Sequence, residues 1–394
     1  MKVAIRERTF ELLVIVTPVQ MEVFCYEGLA LNHVRVFFTK EITFSKSIQG
    51  SDKEFTASAS SALYRLLREC EVQLHKSNVP HIRIQRVTFF YSPSLATVAL
   101  EHILVRSKQR TELTEKSVRA LITDAEKSFL GSVRYNKKNS GLPVGKQTII
   151  ERRFTRTMLD GYPVSSYFLR EYNEFSGVLL LGGVSTGLLQ KLTDVCHSIF
   201  RNSLIYHRTI ERAILDTVGV LGDPHQNFLV CVLFPQGLYM TYVENNLPVN
   251  QKFSDVGSER ILALFSGVLS TTKTVAKSFI RLYRDKKLHG ASEHRFIQAL
   301  AHVADLWMKE FMRVRQDLSE RFLLPQHVYL LASRPLDSLI LENLPTSGTD
   351  AYGQYQLTHV IIENFWPIEA VDPSALTPLA SLLMTYTLTH PVEY

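Results

Sequence analysis

The sequence predicts an α/β protein of two similar halves, with a smaller mixed module inserted into the first half. Two observations indicate the halves: runs of strand-forming residues follow one another over residues 10–45 and again over residues 227–256, and helical patterns come after each block. A third observation indicates the module, because residues 94–185 change to the order strand, helix, strand, strand. With 394 residues and 45% apolar content, the chain is long enough for several hydrophobic cores.

The first half begins with apolar, strand-forming runs. A helix is predicted from Asp52 or Thr56 to about Lys76, because apolar residues such as Ala59 and Leu63 recur there at helical spacing. The predicted strands are Phe10–Val16, Met21–Tyr26, Val34–Phe38, Glu41–Ser45 and Ile84–Tyr91, with a hairpin turn at Glu27-Gly28. Beyond the module the half resumes with a helix at Ser185–Asn202, a short strand at Ser203–His207 and a helix at Thr209–Leu221.

The inserted module has its own sequence of signals. Thr114 and Glu115 supply the N-cap hydroxyl and the early acid that favour a helix start, and this helix is predicted to end near Phe129. Tyr135–Lys146 is polar and lysine-rich, which predicts a loop. The predicted strands are Ala96–Arg106, the alternating run Gln147–Met158 and, after a turn at Leu159–Pro163, Glu174–Leu181.

The second half opens with three strands in a row. They are predicted at Asn227–Phe234, Leu238–Val243 and Gln251–Val256, and Ser258 is the candidate cap of the next helix. The last helix carries leucines but no lysine or arginine, which favours a core helix over a lipid anchor. The remaining predicted elements are helices at Ser258–Leu269, Thr274–Lys286, Glu293–Phe322, Pro335–Leu344 and Asp372–Leu388 (capped at Ser374), and strands at Gln326–Ala332 and Leu357–Ile362.

Two motifs carry a resemblance to a known family. The stretches ELTEKSVRALITDAEKSF at residues 112–129 and TIIERRFTRTMLDGYPV at residues 148–164 resemble the SHS2 module. With the layout of nearly the whole chain, they make the sequence similar to the FtsA and PilM proteins of bacterial cell division and type IV pili. The resemblance implies an actin-like, duplicated ribonuclease H-like fold. It divides the chain into residues 1–93 (first half), 94–185 (SHS2-like module), 186–222 (return to the first half) and 223–394 (second half).

The same resemblance implies three glycine-containing turns that would hold Mg-ATP between the halves. The first should read approximately Asp-Ile-Gly-Thr and the second Asp-x-Gly-Gly, since a carboxylate must anchor the metal and glycine must let the backbone approach the phosphates. The aligned residues lack these acids and nearly all of these glycines, so the sequence predicts a degenerate nucleotide cleft without hydrolysis, metal or cofactor. The residues concerned are Val14, Val16 and Thr17 at the first turn, Val232, Phe234, Pro235 and Gly237 at the second, and Ser333 and Arg334 at the third.

Other catalytic patterns are weaker. Gly182–Gly187 follows a strand and precedes a helix, but it lacks the lysine of a P-loop, and we interpret it as a linker turn. The histidines and the four scattered cysteines show no metal-ligand spacing, and the cysteine usage favours a reducing compartment. Neither a signal core nor a membrane-spanning run is predicted.

A basic patch on the module is the predicted partner surface. It comprises Lys137, Lys138, Arg152 and Arg156, and strand alternation predicts that Arg152 and Arg156 share one face. The expected partners are proteins of a division or pilus machine, or a second copy of the chain, and not nucleic acid. The expected location is the cytoplasm, with membrane association through a partner. The predicted function is therefore a non-catalytic actin-like scaffold. The alternative is an ATP-binding actin-like ATPase with an atypical pocket.

Overall fold

The computed structural model of the chain describes residues 8–29, 33–44, 52–76, 82–139, 146–164, 170–221, 227–244, 247–320, 322–333, 335–350, 353–360, 368–370 and 376–389. The strands are β1 (Arg8–Val16), β2 (Gln20–Leu29), β3 (His33–Thr43), β4 (Ile82–Tyr91), β5 (Thr97–Glu112), β6 (Gln147–Leu159), β7 (Tyr162–Pro163), β8 (Glu171–Ser185), β9 (Leu204–Thr209), β10 (Phe228–Phe234), β11 (Gly237–Glu244), β12 (Leu247–Ser254), β13 (His327–Ala332), β14 (Ser347–Asp350), β15 (Gly353–His359) and β16 (Ile368–Ala370). The helices are α1 (Asp52–Lys76), α2 (Glu115–Asn139), α3 (Thr186–Ile199), α4 (Ile210–Leu221), α5 (Ser258–Val268), α6 (Lys273–Arg284), α7 (Ala291–Ser319), α8 (Pro335–Glu342) and α9 (Pro378–Thr389).

Two six-stranded sheets repeat one strand order. In the first, β3, β2 and β1 form an antiparallel meander, and β4 and β9 continue parallel to β1. In the second, β12, β11 and β10 form the meander, and β13 and β15 continue parallel to β10. The duplication predicted from the sequence is therefore confirmed. Each sheet carries one further edge strand, β16 beside β3 and β14 beside β15.

The inserted segment forms a third sheet of its own. Its strands follow the order β5-β8-β6-β7, and none of its described strands joins a six-stranded sheet. Helix α2 covers one face of this sheet, where Phe129, Phe175 and Leu181 form a small core. We call this sheet and α2 the module.

Helices cover both faces of each six-stranded sheet. Helices α1 and α3 pack on the outer face of the first sheet, and α5 to α8 pack on the outer face of the second. Helices α4 and α9 lie between the inner faces of the two sheets. Because α9 is buried from Pro378 to Thr387, the prediction of a core helix there is confirmed. No helix in the described parts of the chain is long and apolar enough to cross a bilayer.

Several local predictions need correction. Gly28 lies within β2 and pairs with Val34, so the predicted turn at Glu27-Gly28 is wrong. Helix α2 continues to Asn139, so Tyr135–Asn139 is helical rather than loop. Gly182 and Gly183 lie inside β8 and pair with β5 and β6, so the predicted linker turn is wrong as well.

The cap of the last helix also differs from its prediction. The Thr377 hydroxyl accepts from the Ala380 N–H at 3.2 Å, and the Thr377 carbonyl accepts from the Ser381 N–H at 3.0 Å. Thr377 therefore caps α9, and the predicted cap, Ser374, lies outside the described residues.

Candidate functional site

The first turn, between β1 and β2, is closed by its own threonine. The buried Thr17 hydroxyl accepts from the Gln20 N–H at 3.1 Å and donates to the Gln20 carbonyl at 3.0 Å. The Thr17 N–H donates to the same carbonyl, and the Val19 N–H reaches the Thr17 hydroxyl at 3.4 Å. The backbone N–H groups of Thr17, Val19 and Gln20 are therefore satisfied within the hairpin.

The valines of the first turn do not face the space between the sheets. Val14 and Val16 pack in the outer core with α1 and α3, whereas Leu13 and Ile15 face the inner layer. Val14 and Val16, which the sequence assigns to the degenerate nucleotide cleft, therefore do not line the space between the sheets, because strand alternation turns them to the outer face of β1. Val232 and Phe234, from β10, do lie in the inner layer.

The second turn, between β10 and β11, is packed against the start of α5. The Pro235 carbonyl accepts from the Glu259 N–H at 3.0 Å, so it occupies one of the free donors at the helix N-terminus. Gly257, not Ser258, is the N-cap residue, and a Cβ there would lie 2.1 Å from the Gly237 nitrogen. A Cβ on Gly237 would meet Phe253 at 2.1 Å. Both glycines are required by close approach of backbone to neighbouring groups.

The third turn follows β13. Ser333 is buried, and its N–H donates to the Leu233 carbonyl at 3.3 Å, which ties the end of β13 to β10. Arg334 lies outside the described residues. Helix α8 begins directly afterwards, at Pro335.

A cavity of about 430 Å³ lies beside these turns, between β2 and β3 of the first sheet and α5, α6 and α8 of the second half. Ser258, Ser333 and Thr377 supply hydroxyls to its wall, and the Ser258 hydroxyl is buried without a hydrogen-bond partner among the described residues. An ion pair between Lys277 and Glu41, at 3.8 Å, connects the two halves at this cavity. The other lining residues are Glu22, Phe24, Thr39, Lys40, Leu262, Ile280, Arg281, Arg284, Asp285 and Leu336.

Sequence reasoning missed the charged residues of this cavity. Lys277, Arg281 and Arg284 come from α6, and the buried Glu22 comes from β2 instead of from a turn. The recurrence of cations at Lys273, Lys277 and Arg281, at steps of four on a predicted helix, was the signal that could have revealed one charged wall. Nothing in the sequence indicated Glu22, because its place depends on the pairing of β2.

The module is anchored to the first half through a buried carboxylate. Glu151 of β6 is fully buried, accepts from the Thr209 hydroxyl and lies 3.8 Å from the guanidinium of Arg212. Burial raises the pKa of Glu151, while Arg212 and the Thr209 hydroxyl act to lower it. Arg153 adds an ion pair of 2.6 Å to Asp216 on α4. These contacts join the module to α4 over one side of β6.

A groove of about 780 Å³ runs between the uncovered face of the module sheet and the outermost meander strand of the second sheet. We call it the module groove. Helix α4 forms part of its wall, and β5 and β12 each present an edge without a described strand partner. Its apolar lining includes Leu100, Leu104, Met158, Val178, Leu215 and Val249, and its charged lining is Arg156, Glu211 and Glu244.

Glu211 is an unusual member of the groove lining. Its Oε2 atom is buried and has no hydrogen-bond partner among the described residues. Burial raises the pKa of Glu211 to about 8, a hydrogen bond from its own backbone opposes the rise, and the Glu151 carboxylate adds to it. This carboxyl therefore holds its proton near neutral pH, where it can donate a hydrogen bond.

The predicted basic patch is divided by the structure. Arg152 pairs with Glu126 on α2, whereas Arg156 lines the module groove on the opposite side of β6. The prediction that they share a face is wrong, because an irregularity between Phe154 and Arg156 shifts the strand alternation. Lys137 and Lys138 lie in the last turn of α2, and their side chains are outside the described part of the chain.

The repeated strand order, with two helices enclosed between the sheets, defines an α/β protein of the actin-like fold. Among solved structures, the chain is similar to one titled PilM-PilN type IV pilus biogenesis complex. The TM-score is 0.56 at 13% identity, over 97% of this chain and 99% of that chain, and a likeness at this identity establishes the fold alone.

Two further solved structures are similar to the chain. One is a protein of unknown function with an actin-like ATPase fold from Bacteroides thetaiotaomicron, with a TM-score of 0.38, 8% identity and coverage of 98% and 99% of the two chains. The other is the ethanolamine utilization protein EutJ from Carboxydothermus hydrogenoformans, with a TM-score of 0.43, 8% identity and coverage of 95% and 89%. No family model matches the sequence, and no curated protein sequence matches it.

Proposed function

We propose that the chain is a non-catalytic actin-like scaffold or adaptor, which binds a protein partner of a membrane-associated assembly. The observation that carries the proposal is that the protein's own groups occupy the first and second turns, which would hold the phosphates of a nucleotide. Thr17 satisfies the first hairpin, and Pro235 occupies a donor at the start of α5, where a phosphate would need free N–H groups. No carboxylate stands in either turn. These turns do not fit a metal-bound triphosphate.

The assembly in the proposal is of the type IV pilus or cell-division type. The similarity to the PilM-PilN complex of type IV pilus biogenesis supports the pilus alternative. In that proposal the chain works in the cytoplasm and reaches the inner face of the membrane through its partner. The module is then of the SHS2 type, with the domain boundaries predicted from the sequence. Association with a second copy of the chain is the competing arrangement.

The module groove is the proposed partner site. An extended segment can add to the free edge of a strand, with main-chain hydrogen bonds giving affinity and side-chain pockets giving specificity. The groove offers two such edges and an apolar floor, and Leu104 and Val249 remain 55% and 39% exposed there. Arg156 and Glu211 provide charged and hydrogen-bonding groups for orientation.

The test uses peptides selected by display on the immobilised protein. We expect selected extended peptides to lose about tenfold or more in affinity for Leu104→Glu, because a charge is placed in an apolar contact. Leu204→Glu is the matched control, since Leu204 is 48% exposed on another edge strand, β9, and does not line the groove. Equal binding by wild type and Leu104→Glu would remove the groove from the proposal.

The cavity supports a second candidate, an ATP-binding protein with an atypical pocket. Its volume and the cations Lys277, Arg281 and Arg284 suit an anionic ligand. Thermal unfolding with and without Mg-ATP separates the two candidates, since a ligand that binds only the folded state raises the melting temperature. The scaffold proposal expects no shift and no release of phosphate above background. A shift or turnover that Arg281→Ala abolishes would favour the ATP-binding candidate.

A further inference from the structure

One positively charged surface region of the chain is built around helix α6. Residues 258–300 contain eight lysines and arginines against three acids, an excess of five. Helix α6 is the centre of this region, since it carries four cations and no acid. None of the other described helices combines four cations with the absence of acids.

Helix α6 exposes more than one side to solvent. At about 100° per residue, its four cations fall within an arc of about 80°. Two apolar residues, Val275 and Leu282, lie beyond this arc on the solvent-facing surface of the helix, and their side chains are 43% and 39% exposed. Thr274 and Ser278 lie between the two flanks. The following turn adds the exposed Lys286 and Lys287. We call this the α6 surface; its cations are Lys273, Lys277, Arg281, Arg284, Lys286 and Lys287.

The acids near the α6 surface neutralise it weakly. Lys273 lies 3.4 Å from Glu259, Lys277 lies 3.8 Å from Glu41, and Lys287 lies 3.5 Å from Asp285. Exposed pairs at such distances contribute little and are screened by salt. Arg284 interacts with the carboxylate of Glu342, whereas Arg281 and Lys286 make no ion pair with a described carboxylate. The region therefore keeps a positive potential toward solvent.

We propose that the α6 surface contacts an anionic phospholipid membrane directly. Clusters of four to eight lysines and arginines are attracted to anionic headgroups, and exposed apolar side chains beside them can enter the headgroup boundary. Three of the cations, Lys277, Arg281 and Arg284, line the cavity, and the other three lie farther along the helix and the turn. The six together extend beyond one anionic ligand, which suits a surface of many headgroups. The proposal is independent of the partner site, because no residue of the α6 surface lines the module groove.

The experiment is co-sedimentation of the full chain with vesicles. Wild type is expected to bind vesicles that contain phosphatidylglycerol, to ignore vesicles of phosphatidylcholine alone, and to lose binding as salt rises. The variant is Arg281→Glu with Lys286→Glu. The matched control is Lys116→Glu with Lys191→Glu, which changes the net charge equally at exposed positions outside the α6 surface. We expect a loss of about tenfold or more for the variant and about twofold or less for the control, because each surface cation contributes about fivefold.

Each other outcome overturns the proposal. Equal losses in the variant and the control would mean attraction by net charge alone. If wild type binds no vesicles but binds polyglutamate, and the variant binds neither, the partner of the α6 surface is an acidic protein. Loss of ATP binding without loss of vesicle binding would assign the cations to the cavity. Thermal unfolding of both variants, which are expected to melt like wild type, shows that the fold is intact.

Discussion

Replacement of Gly257 by alanine tests whether the second turn is locked onto α5. The added Cβ would lie 2.1 Å from the Gly237 nitrogen and 2.4 Å from the Pro235 oxygen, both of them backbone atoms that cannot rotate away. Either the turn or the helix start must move, and the hydrogen bond from Glu259 to Pro235 is then lost. Overpacking costs about 1–3 kcal/mol and the lost hydrogen bond about 1 kcal/mol, so the free energy of unfolding should fall by about 2–4 kcal/mol.

The same substitution ten residues later should have the opposite sign. Gly267 lies in α5, and a Cβ there would meet nothing within 4 Å. Alanine in place of glycine within a helix stabilises by up to about 1 kcal/mol. Comparison of Gly257→Ala with Gly267→Ala therefore distinguishes the effect of the close backbone contact at Gly257 from the general effect of replacing glycine by alanine.

Thermal unfolding and hydrogen exchange at Glu259 provide the measurements. A chain with several cores need not unfold in one step, so the exchange rate of this single amide is the local readout. Gly257→Ala is expected to lower the melting temperature and to speed exchange at Glu259, whereas Gly267→Ala is expected to do neither. If Gly257→Ala melts at or above wild type, the turn is not locked onto α5 and the argument against a phosphate site loses its main support.

Two further predictions concern the module groove. The folded chain holds the Glu211 proton up to a pKa of about 8 against an ordinary value of 4.5, so this group's contribution to stability is complete below about pH 4.5 and is lost as pH rises toward 8. The melting temperature of Glu211→Gln, relative to that of wild type, should therefore rise from pH 5 to pH 8. A difference in melting temperature that stays constant over this range would contradict the raised pKa of Glu211. Arg156→Glu should slow association of groove-selected peptides at low salt, because rim charges act mainly on the on-rate, whereas Arg152→Glu, at the residue paired with Glu126, should leave it unchanged in stopped-flow measurements.

Long, strongly patterned elements were predictable from the sequence. The buried runs of β1 and β10 and the apolar stripe of α7 determine their own structure, and the repeated strand order followed from them. The short edge strands β14 and β16 were not predicted, because three or four residues carry too little pattern and their pairing depends on distant strands. The end of α2 was missed because lysines and asparagines after Phe129 suit a loop as well as a helix.

The candidate site was harder to predict than the fold. Residues of the turns could be aligned, but the direction of Val14 and Val16 depends on which face of β1 meets α1. The separation of Arg152 and Arg156 depends on an irregularity in the pairing of β6 with β8, which no local sequence pattern marks. The groove and the cavity form between elements that are distant in sequence, so their lining could not be assembled from spacing.

The position of β16 affects how the chain can fold during its synthesis. This strand pairs in parallel with β3, more than 300 residues earlier, and α9 then fills the layer between the sheets. Until the ribosome has released residue 370, the edge of β3 stays uncovered and the inner layer lacks helix α9. Such late, distant contacts slow folding and leave a strand edge open to pairing with other chains. Nascent chains stopped before residue 368 should therefore depend on chaperones more than the finished protein does.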